Sequence, residues 1–376
     1  MLVYVLIVLL ALAASAFFGW VFSVVTARVR KKALIGTVLC VALIAGYSWL
    51  IARLNTMLLE LAAMAEQIAG RLGAVAPLYW AGSSIAKGNW RHLLLLCAVV
   101  LPLFALCLAV LILTFSRTAS SKRGFARVKY VEKQVRASSP EGALLRREFS
   151  RFTSSSAYMV NAGLGLFMML GGAVLLIIKR KDIAALLSLI PNSEVLIIPI
   201  AAAALCLFAS MNMISAPSVS LEGQNLWIVR SLPLSSAKVL AAKVKLHLWV
   251  CLPVLALTIA GISAALNFAA GEILLVAAPS VAFTVFIAVL GVVENLHFPN
   301  LNWTQEAQAV KSGFGVLFTM LISWGCLGAA AGVYLLWGDV LGFVPLCIAF
   351  TAGLIIATFF LCKWLFGKGC AVFESL

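Results

Sequence analysis

Apolar residues in this chain gather into long runs rather than alternating or forming a one-sided helical stripe. Crossing a hydrocarbon core about 30 Å thick takes roughly 20 helical residues. Nine runs reach that length, at 1–25, 33–52, 93–115, 156–178, 196–215, 248–268, 273–293, 313–337 and 340–362. Backbone groups in lipid must be satisfied within their own segment, and these runs are too long and too unalternating for barrel strands. The pattern therefore predicts an all-α, polytopic membrane protein with about nine transmembrane helices. The first run contains Ala14-Ser15-Ala16, a small-residue stretch of the cleavage-site kind, but it lacks a basic leader and stays apolar to Val25. It is read as a retained span.

Composition agrees: 64% of the 376 residues are hydrophobic, 11% are charged, and the mean hydropathy of +1.10 lies far outside soluble usage. A net charge of +15 would suit nucleic acid, but its placement follows membrane topology and no nucleic-acid partner is expected. With the N-terminus outside and the C-terminus cytoplasmic, 21 of the 28 Lys and Arg fall on the cytoplasmic side. Lys179-Arg180-Lys181 runs against this, either snorkelling from the end of the fourth span or marking a shifted fourth and fifth span. The nine cysteines lack Cys-x-x-Cys spacing and read as small core residues. The three histidines lie far apart at span edges, and no metal site is expected.

Four segments between the runs are more than connectors. Residues 53–92 lie outside, with an apolar face at Leu58, Leu61, Ala65, Ile68 and Leu72 that suits a helix on the outer leaflet, followed by a turn-rich, aromatic stretch; an ordinary surface loop is the alternative. Residues 116–155 hold ten basic and three acidic residues. Their end predicts a short helix along the inner membrane surface, capped by Ser139 with Pro140 at its first position. Leu145, Phe149 and Phe152 share one face of it while Arg146 and Arg147 project elsewhere, and a juxtamembrane anchor for anionic lipid is the plainer reading.

The third segment, SLEGQNLWIVRSLPLSSAK at 220–238, is not cleanly amphipathic. It suits a position between membrane and protein partner, with Glu222 and Arg230 for polar contacts and Trp227 as anchor, although a solvated linker is the simpler alternative. Pro233 ends its first helical piece, and Ser235 or Ser236 caps a second carrying Lys238, Lys243 and Lys245 into the sixth span. In the fourth segment, 294–311, Pro299 breaks the seventh helix, and Asn302 with Gln305 resembles a capping box for a helix through Lys311.

The span interiors carry no ionisable side chain, which argues against proton coupling, though sodium sites built from carbonyls and hydroxyls stay open. Nor is there a G-x-x-x-x-G-K-[ST] phosphate loop; Gly367-Lys368-Gly369 is the nearest string. Any ATP hydrolysis is expected on another chain.

Three stretches, Leu144 to Asn161, Ser220 to Lys243 and Phe298 to Lys311, together resemble the permease subunits of type-2 ATP-binding-cassette exporters, in a bacterial branch. The EG-x-x-x-W-x-x-x-x-LP pattern from Glu222 to Pro233 is the most unusual of their features. The resemblance implies an elbow helix before six spans and a coupling helix docking into an ATPase subunit, in a bacterial plasma membrane. It places 116–155 as basic linker and elbow, with Leu145, Arg146, Arg147, Phe149 and Phe152, and 156–376 as the six-span domain. It implies docking roles for Glu222, Gly223, Trp227, Arg230, Leu232 and Pro233, and in the second cytoplasmic loop for Asn302, Trp303, Glu306 and Lys311. Residues 1–115 resemble the rear half of a first such unit, so an upstream half or a second copy is expected to complete the permease; the small-residue stretch Gly328 to Gly332 permits close helix packing. The implied function is export of an amphiphilic peptide, lipid or drug by alternating access, with membrane lipid as surroundings. The chain itself is expected to be no enzyme and to bind no cofactor, ATP and magnesium residing on the partner. An ion-coupled secondary carrier and a nontransporting scaffold or sensor are the alternatives.

Overall fold

The computed structural model describes residues 2–27, scattered positions between 37 and 53, 76–120, 139–187, 189 and 193–376. They divide into two compact units, Met1–Arg136 and Ala137–Leu376. Most of the expected second span, the amphipathic face at Leu58 to Leu72 and the body of the basic linker lie outside the described residues.

The first unit contains α1 (Leu2–Ala27), α2 (Ala76–Ala86) and α3 (Trp90–Ser120). Val3 and Leu6 of α1 pack with Leu96 and Val100 of α3. The stretch from Ala76, expected to be turn-rich, is helical to Ala86 because the Ser83 and Ser84 hydroxyls bond back to the Trp80 carbonyl instead of competing with the helix. The turn itself is confined to 87–89, where Gly88 adopts φ 61°.

The second unit opens with α4 (Pro140–Ser154), α5 (Ser156–Ala162), α6 (Leu164–Ile178), α7 (Arg180–Leu187) and α8 (Ser193–Ser210). A short 3-10 segment (Ser220–Asn225) leads into α9 (Leu226–Arg230). Then follow α10 (Ser236–Leu266), α11 (Ala270–His297), α12 (Glu306–Lys311), α13 (Phe314–Leu341), α14 (Phe343–Phe366) and α15 (Lys368–Ser375). The predicted start of α4 is present: the Ser139 hydroxyl accepts from the Gly142 N–H and Pro140 occupies the first helical position.

Among the described residues there is no strand, and six helices are long and apolar enough to cross a membrane. The pair α5 and α6, bent by 61°, makes a seventh if counted as one span, and Val195–Ser210 is a shorter apolar helix. The chain is therefore an all-α, multi-pass membrane protein. In its second unit α11 is the central element, far more deeply buried than α14. Two core clusters lie along it. One joins Leu205, Leu255, Phe283 and Ile287; the other joins Leu240, Val292, Leu296, Leu365 and Phe373 near the polar loops.

The bend after Ala162 is built by close approach. Asn212 Oδ1 accepts from the Leu166 N–H at 2.9 Å and the Met213 N–H donates to the Ala162 carbonyl at 2.8 Å, so groups freed by the break find partners. Gly165 lies so near the Phe208 carbonyl that a Cβ there would sit 2.0 Å from its oxygen. The sixth expected span starts earlier than its apolar run, since α10 begins at Ser236 and fully buries Lys243 and His247.

Candidate functional site

Helix α4, the 220–238 segment and the start of α10 meet around one ionic cluster. Glu222, at the turn before α9, accepts both guanidinium nitrogens of Arg147, at 3.0 and 2.7 Å, and one of Arg151 at 3.0 Å. Lys243 of α10 uses all three donors: to Glu222 Oε1 at 2.9 Å, Glu148 Oε1 at 3.1 Å and the Ser218 carbonyl at 2.9 Å. Lys243 has no exposed surface, and Glu222 and Glu148 are 2% and 3% exposed. Such charges are tolerable inside a protein only when paired and hydrogen-bonded.

Burial alone would raise the Glu222 carboxyl, but the Lys243 ammonium and the hydrogen-bonded Arg147 and Arg151 overcome it and hold the group well below the ordinary carboxylate range. Desolvation works to lower Arg151, and its pairing with Glu222 outweighs this and raises it. The unfolded chain, whose carboxylates titrate near 4.5, takes up the proton first, so the contribution of Glu222 is complete above that pH and is lost as pH falls below it. The unfolding midpoint in detergent is expected to fall below about pH 4.5, and to fall less steeply in Glu222→Gln. An equal acid slope in the variant would assign the effect to other carboxylates.

A second set of contacts grips the same segment from behind. Asn295, near the end of α11, accepts from the Val219 and Ser220 N–H groups at 2.7 and 2.9 Å and donates to the Ser220 hydroxyl at 2.7 Å. The Asn300 N–H also donates to that hydroxyl, and Trp303 Nε1 donates to the Ser220 carbonyl at 2.7 Å. Gly223 adopts φ 55°, ψ −142°, a region open to glycine, and its Cα faces the Trp303 ring. The Ser155 hydroxyl donates to Glu306, so the start of α12 also ties back to the junction of α4 and α5. Helix α4, the 220–238 segment and the loop before α12 thus form a closed circuit of polar contacts.

Several expected site residues take roles other than outward contact. Glu222 and Gly223, expected to meet a partner, are buried, because the carboxylate is shared by three cations and the glycine is stacked under Trp303. Trp303 is half-buried and works inward. Asn302 does not cap the following helix: α12 starts at Glu306, and Gln308 Oε1 instead accepts from the Thr304 N–H. On α4 the inward row is Leu144, Glu148 and Phe152, since only that register presents Glu148 to Lys243; Leu145 is half-buried, and Phe149 and Arg146 are exposed. Phe152 thereby leaves the face it was expected to share with Leu145 and Phe149.

What remains outward is compact. Trp227 is 66% exposed, Ile228 45% and Leu232 38%, with Pro233 and Arg230 beside them. The Arg230 guanidinium donates to the Glu374 carbonyl of α15, and Ser236 donates to the Glu374 carboxylate, so the C-terminal helix braces this apex. Lys311 is exposed at the end of α12. Glu148, Arg151, Ser220 and Asn295 receive no site role from the sequence, and Lys243 enters only as one of three lysines leading into the sixth span. Glu148 offered a signal, as the one carboxylate among Arg146, Arg147 and Arg151, whereas Lys243, with Lys245 two residues on, and Asn295 offered none.

Comparison with curated proteins and with solved structures gives no match. A family model described as "Putative ATP-binding cassette" matches residues 79–357, a stretch that contains α4, the ionic cluster, the exposed apex and most of the apolar helices. With most of its length under that match, the chain belongs to this ATP-binding-cassette family.

Proposed function

We propose that this chain is the membrane permease subunit of an ATP-driven exporter, working by alternating access on an amphiphilic peptide, lipid or drug. A separate P-loop ATPase subunit binds ATP and magnesium and docks on the apex formed by Trp227, Ile228, Leu232 and Pro233. The carrying observation is the contrast between this exposed apolar apex and the saturated polar frame beneath it. A Trp–Leu–Pro cluster outside the apolar spans is costly to leave in water and fits the aromatic anchor of a protein interface. The family membership supports an ATP-linked role, while the lack of any phosphate-loop string in the sequence supports placing the motor on another chain. The host membrane in this reading is the bacterial plasma membrane.

Force applied at the apex would pass by three short routes: through Glu222 to α4, through Lys243 to α10, and through Ser220 to Asn295 on α11. The docked ATPase therefore acts on three helices of the second unit together.

The test is retention of the ATPase on the purified permease. Trp227→Ala is expected to weaken association roughly thirtyfold, the scale of a central tryptophan anchor. Arg230→Glu is expected to weaken it less, since that side chain also serves α15. Association unchanged in both variants would sink the docking assignment.

A further inference from the structure

A shallow pocket of about 230 Å³ lies where α10 begins and α14 ends, away from the residues assigned to docking. Ala237, Ala241 and Phe366 line it, and Lys238, Lys245 and Glu141 carry its charge. The two lysines are seven residues apart on α10, two helical turns, so their ammoniums rise on one face. Each approaches a different oxygen of Glu141, Lys238 Nζ at 3.6 Å from Oε1 and Lys245 Nζ at 3.5 Å from Oε2. Charge-assisted hydrogen bonds close to about 2.7–2.9 Å. One carboxylate therefore spans two cations loosely, and the group keeps a net charge of +1.

The depth of the pocket is set by its neighbours. Phe366 is the last residue of the apolar α14, and the apolar run of α10 starts at Leu248, just past Lys245. Cations at that boundary face the layer of lipid headgroups, where anionic lipid attracts them. A phosphodiester offers two oxygens to two ammoniums, as Glu141 does, but carries its acyl chains down along the apolar surfaces of the two helices.

We propose that this pocket binds the phosphate of an anionic membrane phospholipid between Lys238 and Lys245, with Glu141 occupying the same donors when the lipid is absent. The site does not depend on the docking assignment. It makes Glu141 a competitor of the lipid, which a merely bracing ion pair would not be.

The experiment titrates the full chain in neutral detergent with phosphatidylglycerol, phosphatidylcholine or inorganic phosphate and follows the thermal unfolding midpoint. Phosphatidylglycerol is expected to raise the midpoint saturably, and phosphatidylcholine is not. Lys238→Gln with Lys245→Gln is expected to raise the half-saturating concentration about fivefold per lysine, whereas Glu141→Gln lowers it about fivefold. All three side chains are about half exposed, so the lipid-free midpoints should stay near wild type. An unchanged half-saturation in the lysine variant would overturn the site, as would Glu141→Gln weakening the lipid rather than tightening it. The same saturable shift from inorganic phosphate would overturn the assignment to lipid.

Discussion

Lys243→Met is expected to destabilise the chain by about 3–5 kcal/mol, the scale of removing one partner from a buried ion pair. Methionine keeps most of the volume, so packing is a minor part of the loss. What changes is electrostatic: Glu148 and Glu222 are left inside with one cation fewer, and the Ser218 carbonyl loses its donor. Unfolding of the detergent-solubilised chain by heat or denaturant reads this directly. Adding Glu148→Gln to Lys243→Met should recover part of the loss, because the second change removes a buried charge that the first left uncompensated. A single variant as stable as wild type would show that the cluster contributes nothing to holding α4 against α10.

Gly165→Ala is the second large effect, about 3 kcal/mol or more. Overpacking costs about 1–3 kcal/mol where side chains can yield. Here the new methyl would lie 2.0 Å from a backbone oxygen, that of Phe208, and 2.8 Å from Asn212 Oδ1, which already accepts from Leu166. Relief requires moving α6 away from α8, and that opens the bend between α5 and α6. Gly171→Ala, on the same helix with nothing within 4 Å of the new Cβ, is the matched control. It should be neutral or stabilising, by up to about 1 kcal/mol from helix propensity. Equal unfolding midpoints for the two variants would remove the close-packing account of the bend.

The helices were legible in the sequence because crossing lipid demands length and apolarity, both of which a linear reading measures. The start of α4 was legible for a different reason: Ser139 and Pro140 act within one helical turn. The register of α4 was not. Its inward row is chosen by Glu148 meeting Lys243, 95 residues along the chain, and no local pattern carries that choice. The same limit hid Asn295, an amide near a helix end whose partners are the backbone of 219 and 220. A linear reading assigns Glu222, Gly223, Trp227, Arg230, Leu232 and Pro233 to docking as one group and does not divide them between inside and outside. Exposed Trp227 and buried Glu222 look equally unusual in a string, and only the three cations around Glu222 decide its side. At 302–308 a plausible local cap lost to a side chain reaching back from Gln308.

The clamp takes three main-chain groups and one side chain: Asn295 holds two N–H groups, Trp303 one carbonyl, and Asn295 with the Asn300 N–H the Ser220 hydroxyl. The geometry of the apex is therefore specified by residues other than those that face outward. Substitutions at Gln224, Asn225 and Ile228, all exposed, fall in the class that shifts stability by about 0.5 kcal/mol or less. In the proposed docking, the apolar contact residues and the residues that support them occupy separate positions of one short segment. Ser220, Glu222 and Gly223, held from within, set the angle at which the exposed residues are presented.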